Sequence, residues 1–154
     1  MVMGKSITLA VVVAVLTFLT CSEPLAQKRV VWRGGGGWGA GAPYSRMFNP
    51  QAIETIRGQV ITVDRIKLMK GMNYGIHLVV KTEAETISVH LGPGWFIENQ
   101  EVKIEPKDMV EVRGSRTTYE GKSALIAAEV KRGDEVLTLR DQEGFPAWSG
   151  WRSR

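Results

Sequence analysis

Aliphatic residues alternate with other residues along the stretch 74–91, YGIHLVVKTEAETISVHL, on both sides of a polar centre. Period-two alternation over runs of this length is typical of half-buried β-strands, so the stretch predicts two strands and a tight turn. If both aliphatic rows face one core, a hairpin centred between Glu83 and Ala84 brings every aliphatic residue opposite an aliphatic residue of the other strand. A shift of the register by one residue would turn one row to solvent. The predicted facing pairs are Ile76 with Leu91, His77 with His90, Leu78 with Val89, and Val80 with Ile87.

The same pattern predicts four further strands and one helical link. The long first strand covers 55–68, and its apolar rows change parity just after Gly58, which is typical of a bulge or a bend. The other elements are a helical turn within 95–100, strands at 109–113 and 124–131, and a short last strand at 136–139. This order predicts an all-β fold, a small five-stranded OB-fold-like Greek-key barrel with a short helical link between strands 3 and 4.

The N-terminus has the pattern of an export signal. Residues 1–26 resemble a signal peptide, because Lys5 precedes an apolar run at 7–20 that is shorter than the ~20 residues of a membrane span. Lipidation at Cys21 and an uncleaved anchor are the two alternatives. Cleavage after residue 26 would leave a mature chain in the periplasm or outside the cell, with no cysteine and no transmembrane span.

The segments that flank the predicted barrel, 52–141, differ from it in composition. Residues 27–51 are rich in glycine and predict a flexible arm, since consecutive glycines are costly inside a helix or strand. Residues 142–154 form an aromatic and basic tail. We expect Trp95 to cap the bottom of the barrel and Trp148 to fold back on the core, because a small domain gains most from closing its core.

Four short pieces of the chain carry a resemblance to a known group of proteins. They are the V-x-x-V strand 60–63, HLGPGW at 90–95, VEVRGS at 110–115 and LRDQEGFPAW at 139–148. Together they resemble a group of small exported bacterial OB-fold proteins, over about 100 residues, the size of one domain. Members of that group mostly lack an assigned activity. The resemblance therefore implies the architecture and export, and it supplies no catalytic residues.

The two histidines of the chain, His77 and His90, form the sharpest candidate site. Directly opposed strand residues have Cβ atoms ~4.5–5.5 Å apart, and two imidazoles at that distance can share one Cu²⁺, Ni²⁺ or Zn²⁺ ion weakly. The alternative is two plain surface histidines on a solvated sheet face, because a lasting zinc site needs about four ligands and the neighbouring outward residues are poor ones. No other cofactor is predicted.

The candidate contact surface for a partner is the outer face of strands 2 and 3 with its flanking loops. Its residues are Lys70, Tyr74, His77, Lys81, His90, Arg116 and Tyr119. Motifs of serine hydrolases, zinc proteases and P-loop enzymes are absent, so no enzyme is predicted. We expect an exported binding or accessory module of the bacterial cell envelope that contacts an envelope protein or an anionic ligand.

Two alternatives remain for the function. The net charge of +4 and the predicted fold suit a single-stranded nucleic-acid binder. Without its flanking loops, however, the outer face of strands 2 and 3 carries one cation, Lys81, and no large aromatic residue, and export also disfavours that role. The other alternative is a metal-handling domain that uses His77 and His90. The oligomeric state does not follow from the sequence.

Overall fold

The computed structural model describes residues 36–150. The predicted signal peptide, the first part of the predicted arm and the last four residues of the tail lie outside this range. The described elements are β1 (Ile53–Ile66), β2 (Gly75–Lys81), β3 (Thr86–Pro93), α1 (Gly94–Ile97), β4 (Met109–Tyr119), β5 (Lys122–Arg132) and β6 (Glu135–Thr138), with 3₁₀ turns at Ser45–Met47 and Ala147–Gly150. Within 36–150 no helix is long and apolar enough to cross a membrane.

Strands β1 to β5 close into a ring. β1 pairs with β4 through its first half and with β2 through its second half, and all these pairs are antiparallel. β2 pairs with β3 and β4 pairs with β5, while a parallel pairing between β3 and β5 completes the ring. The spatial order 4-1-2-3 of the first four strands is a Greek key. The predicted all-β, barrel-like fold is therefore confirmed, including α1 between β3 and β4 and the short β6 paired with β5.

β1 serves two neighbours because it is irregular in its middle. The register with β2 shifts between Val60 and Thr62, so the bulge lies slightly beyond the predicted place. Gly58 has a different role from the predicted one. A Cβ atom at this position would lie 2.3 Å from the carbonyl oxygen of Lys81, so only glycine lets β1 pass the end of β2 so closely.

The β2–β3 hairpin has the predicted register over most of its length. His77 faces His90, Leu78 faces Val89 and Val80 faces Ile87, as the alternation predicts. The predicted pair of Ile76 with Leu91 is wrong, because a register shift between Ile76 and His77 brings Gly92 opposite Ile76. The extra residue of this bulge lets consecutive β3 residues point into buried surroundings, which simple alternation does not allow.

The predicted flexible arm packs against the barrel in its described part. Trp38, Tyr44 and Phe48 are buried members of the hydrophobic core, which the glycine-rich composition of this segment did not predict. Each aromatic side chain buries ~150–250 Å² of surface, and this burial outweighs the flexibility of the glycines between them. Gly75 of β2 makes room for the contact, since a Cβ atom there would lie 2.4 Å from the Trp38 ring.

The C-terminal tail also returns to the barrel. Trp148 is buried against Trp38 and Phe96, which confirms the predicted fold-back. At α1 the core position belongs to Phe96, whereas Trp95 is only partly buried against the core. The predicted cap therefore comes chiefly from the neighbouring residue. β4 continues past Gly114, where it was expected to end, through a register shift against β5.

Candidate functional site

The structure distributes the predicted site residues over four places. His77 and Tyr119 each lie beside His90, which Tyr44 covers, and Tyr74 lies near α1. Lys81 and Arg116 lie at the end of the barrel beside the β2–β3 turn. Lys70 is exposed in the loop between β1 and β2.

His90 is buried rather than exposed on a solvated face. Only 1% of its surface is accessible, because Tyr44 covers it, and the Tyr44 hydroxyl hydrogen-bonds Nδ1 at 3.2 Å. The edge of the ring meets Tyr119, with ring centroids 5.2 Å apart. Burial lowers the pKa of His90 to about 4, and the neighbouring His77 adds to the effect. The alternative of two plain surface histidines is therefore wrong for this residue.

His77 lies beside His90 with ring centroids 6.3 Å apart. Its Nδ1 hydrogen-bonds the hydroxyl of Ser88 at 2.9 Å, and its Nε2 lies 3.9 Å from the carboxylate of Asp64. Burial lowers the pKa of His77, while Asp64 opposes the shift. Among residues 36–150 no group of three or more His, Cys, Asp or Glu side chains is arranged to hold a metal ion. Weak metal binding at the pair stays a prediction.

Arg116 is held in an ion-pair network instead of pointing free from a loop. Its Nη2 donates to carboxylate oxygens of Glu54 and Glu85, each at 2.6 Å, and its Nη1 donates to the hydroxyl of Ser123 at 2.7 Å. Hydrogen bonds to Glu54 and then Glu85 raise the pKa of Arg116, and the bond from Arg116 lowers the pKa of Glu85. The network ties β1 and β4 to the β2–β3 turn.

An open groove of about 1020 Å³ lies beside this network. It runs between the first half of β1, residues 55–59, and the β2–β3 turn with its flanks, residues 81–85. Lys81 lines it, and so does Met109, whose surface is 64% exposed. Sequence reasoning identified Lys81 but missed Met109 and the groove, since Met109 reads as an ordinary strand residue.

Tyr74 belongs to a separate polar cluster. Its hydroxyl donates to Glu98 at 2.9 Å, and the guanidinium of Arg65 lies 4.7 Å from the centre of its ring. The hydrogen bond to Glu98 raises the pKa of Tyr74, and slight burial adds to it. A cavity of about 320 Å³ adjoins this cluster. Its lining is mainly apolar and comes chiefly from residues 63–65 of β1 and residues 102–104 after α1, with single residues from β2, β3, α1 and β6.

A buried arginine lies two residues after the end of β6. Arg140 lies between the rings of Phe48 and Trp148, 5.1 Å from each centroid, and its Nη1 donates to the carbonyl oxygen of Gly144 at 3.0 Å. Burial lowers its pKa, although Tyr44 opposes the shift. Its Nε and Nη2 have no hydrogen-bond partner within the described chain. No sequence motif indicated that this residue would be buried.

The described residues carry little net charge. They hold 14 Lys and Arg against 15 Asp and Glu, a net charge of −1, while the whole chain has a formal net charge of +4. The basic excess of the chain therefore resides in residues 1–35 and 151–154, not on the barrel.

Comparison with known proteins gives one result. No curated protein matches the chain. A profile of the MamS/MamX magnetosome protein family matches residues 52–137, more than half of the chain. The match runs from the start of β1 into β6 and leaves out residues 36–51 and 138–150 of the described chain. The narrower resemblance to exported OB-fold proteins stays a prediction. The chain belongs to the MamS/MamX magnetosome protein family.

Proposed function

We propose that this chain is a non-enzymatic accessory module of the magnetosome, which binds a protein partner through the groove between β1 and the β2–β3 turn. The groove carries this proposal. It combines an exposed apolar side chain, Met109, with an exposed cation, Lys81, beside about 1020 Å³ of open space. Exposed apolar groups next to a polar rim are typical of protein-binding surfaces.

The chemistry of the groove supports binding rather than catalysis. Its most enclosed carboxylate, Glu85, is paired with Arg116, which lowers the pKa of Glu85 and keeps it ionised. A general acid or base needs a pKa near the working pH. The most buried titratable groups, Tyr44, His90 and Arg140, do not line the groove, and a substrate has no access to them.

The charge distribution favours a protein partner over nucleic acid. Nucleic-acid binding needs cations that neutralise phosphates, and the described barrel has a net charge of −1. The signal-peptide pattern of residues 1–26 supports a position outside the cytoplasm.

Site-specific photo-crosslinking in cells tests the proposed surface. A photoreactive amino acid replaces Met109 in the groove or, as the control, Val136, which is 46% exposed on β6. We expect a discrete protein adduct from position 109 and none of the same mass from position 136. Lys81→Glu should reduce that adduct. Equal adducts from both positions, or none from position 109, would contradict the proposal.

A further inference from the structure

We propose that the groove binds its partner by strand addition, in which an extended segment with alternating apolar and acidic residues pairs with the free edge of β1. This inference rests on the proposed function and names the kind of partner that the same groove accepts. Strand addition gains affinity from main-chain hydrogen bonds and specificity from alternate side chains.

The direction of the β1 backbone follows from the hydrogen bonds of Val60. Its N–H donates to the carbonyl oxygen of Asp108 at 2.8 Å, and its carbonyl oxygen accepts from the N–H of Lys107 at 2.7 Å, so both groups of Val60 point towards the β4 side. Backbone groups alternate between the two edges of a strand. The register of β1 with β4 has no shift from Ile53 to Gln59. The N–H and C=O groups of Thr55 and Arg57 therefore point away from β4, opposite to those of Val60.

No strand of the described chain pairs with that edge over the first half of β1. The pairing with β2 begins only at Gln59, which faces Lys81, and β2 ends there. Thr55 and Arg57 both line the groove. Their outward backbone groups therefore form an open edge, and such an edge is a ready template for another extended chain.

Side chains around the edge define the chemistry of the added strand. Its inward position beside Ile56, which is partly buried, suits an apolar residue, whereas the space at Gly58 is already filled by the end of β2. Its outward positions lie beside Arg57, which pairs with Glu111 at 2.6 Å but is 77% exposed, and beside Lys81, which has no ion pair within the described residues. Acidic side chains are complementary to these two cations, because opposite charges on neighbouring strands stabilise pairing.

The turn on the far side of the groove selects a single strand over a second copy of this chain. A second copy that paired through its own β1 would bring its β4 along, since β1 and β4 are paired from Ile53 to Gln59. That extra strand would meet the β2–β3 turn, residues 82–85, which lines the opposite wall. A single extended peptide avoids this collision.

Peptide titration of the ¹⁵N-labelled protein tests the mode of binding. The probe is a blocked eight-residue peptide of alternating valine and glutamate, with a valine–lysine peptide as its control. We expect chemical-shift changes and slowed hydrogen exchange at the amides of Thr55 and Arg57 with the acidic peptide. The basic peptide should bind about tenfold more weakly, as expected for reversed charge next to two cations.

Two variants at one position separate the backbone from the side chain. Thr55→Pro removes the N–H that points into the groove, and an edge strand tolerates proline at such a position. It should weaken binding of the acidic peptide about tenfold, whereas Thr55→Ala, which keeps the N–H, should leave the affinity within about threefold. Amide spectra of both variants without peptide establish that the barrel is intact.

Several outcomes would overturn strand addition. One is the absence of shifts at Thr55 and Arg57, and another is equal binding by the acidic and basic peptides. A third is a self-associated protein that Thr55→Pro converts to a monomer, which would mean that a second copy occupies the edge. In each case a specific crosslink from position 109 would still support the proposed function, so the two proposals fail separately.

Discussion

One end of the β2–β3 hairpin is covered by other segments of the chain, and the other end borders an open groove. At one end, where Gly75 faces Pro93, the segments 36–48 and 139–150 lie on the barrel, and we call this the covered end. At the other, the turn end, Lys81 faces Thr86 and the chain leaves an open groove. Both ends belong to the same two strands, so the difference comes from what packs against them.

Aromatic burial holds the covered end together. Trp148 donates its indole N–H to the carbonyl oxygen of Trp38 at 2.7 Å, which joins the two covering segments directly. Glycines leave room for these rings, since a Cβ atom at Gly92 would lie 2.7 Å from the Trp148 ring. These contacts bury Trp38 and Trp148 almost completely, so neither ring is accessible to a partner.

Exposed ion pairs hold the turn end together. Arg116, Glu54 and Glu85 each keep more than a third of their side-chain surface in solvent, so their network contributes modestly to stability. This barrel therefore gains most of its stability at the covered end and leaves surface free for binding at the turn end. Regions that bind or move are commonly drawn from the less stable parts of a fold.

The largest expected effect is the loss of an aromatic side chain at the covered end. Trp148→Ala removes a ring that is 3% exposed, and it should lower the free energy of unfolding by about 3–5 kcal/mol, the range for large aromatic truncations. Urea denaturation followed by circular dichroism measures the change. Phe145→Ala is the matched control in the same tail, because Phe145 is 55% exposed and should cost less than about 1 kcal/mol. Equal losses in both variants would contradict the aromatic account of this end.

The second expected effect is a loss of stability in mild acid, caused by His90. Its folded pKa of about 4 lies below the ordinary value of 6.5, so the unfolded chain takes up a proton that the folded chain refuses. Stability is therefore full above pH 6.5 and falls as the pH drops towards 4, by about 2 kcal/mol between pH 7 and pH 4.5. Burial also lowers the pKa of His77, which acts in the same direction. Tyr44 and Tyr119, which pack on His90, have raised pKa values and stay neutral in this range.

A variant without the titrating group checks this assignment. His90→Phe keeps a ring in the same space and cannot take up a proton. The difference in unfolding free energy between pH 7 and pH 4.5 should shrink in this variant, even if the variant is less stable at both values because Tyr44 loses its hydrogen bond. An unchanged difference would assign the acid sensitivity to other groups.

The sequence predicted contacts between neighbouring strands of one hairpin better than contacts between segments far apart in the chain. The register of His77 with His90 followed from alternation alone, because strand periodicity acts between neighbouring residues. The bulge beside Ile76 was missed, since alternation carries no sign of an inserted residue. The arm was predicted to be flexible because of its glycines. The burial of Trp38 depends on the space beside Gly75, which exists only in the folded barrel.

The candidate site was less predictable than the fold for the same reason. Arg116 was identified as a surface cation, but its partners Glu54 and Glu85 lie 62 and 31 residues away in the chain. No short motif connects them. The open edge of β1 also depends on where β2 happens to end, which only the three-dimensional pairing defines.

The smallest expected effect is at the turn end, where Arg116 and Arg57 give a matched pair of substitutions. Arg116→Gln breaks contacts with Glu54, Glu85 and Ser123 at once, and because several charges share the network we expect a loss of about 1 kcal/mol. Arg57→Gln breaks one exposed pair with Glu111, which should cost less than about 0.5 kcal/mol. Urea denaturation at low and high salt measures both losses, and salt should reduce them, since exposed charges are screened. A loss at Arg116 as large as that of Trp148→Ala would show that the turn end, too, is a main source of stability, and the contrast between the two ends would then fail.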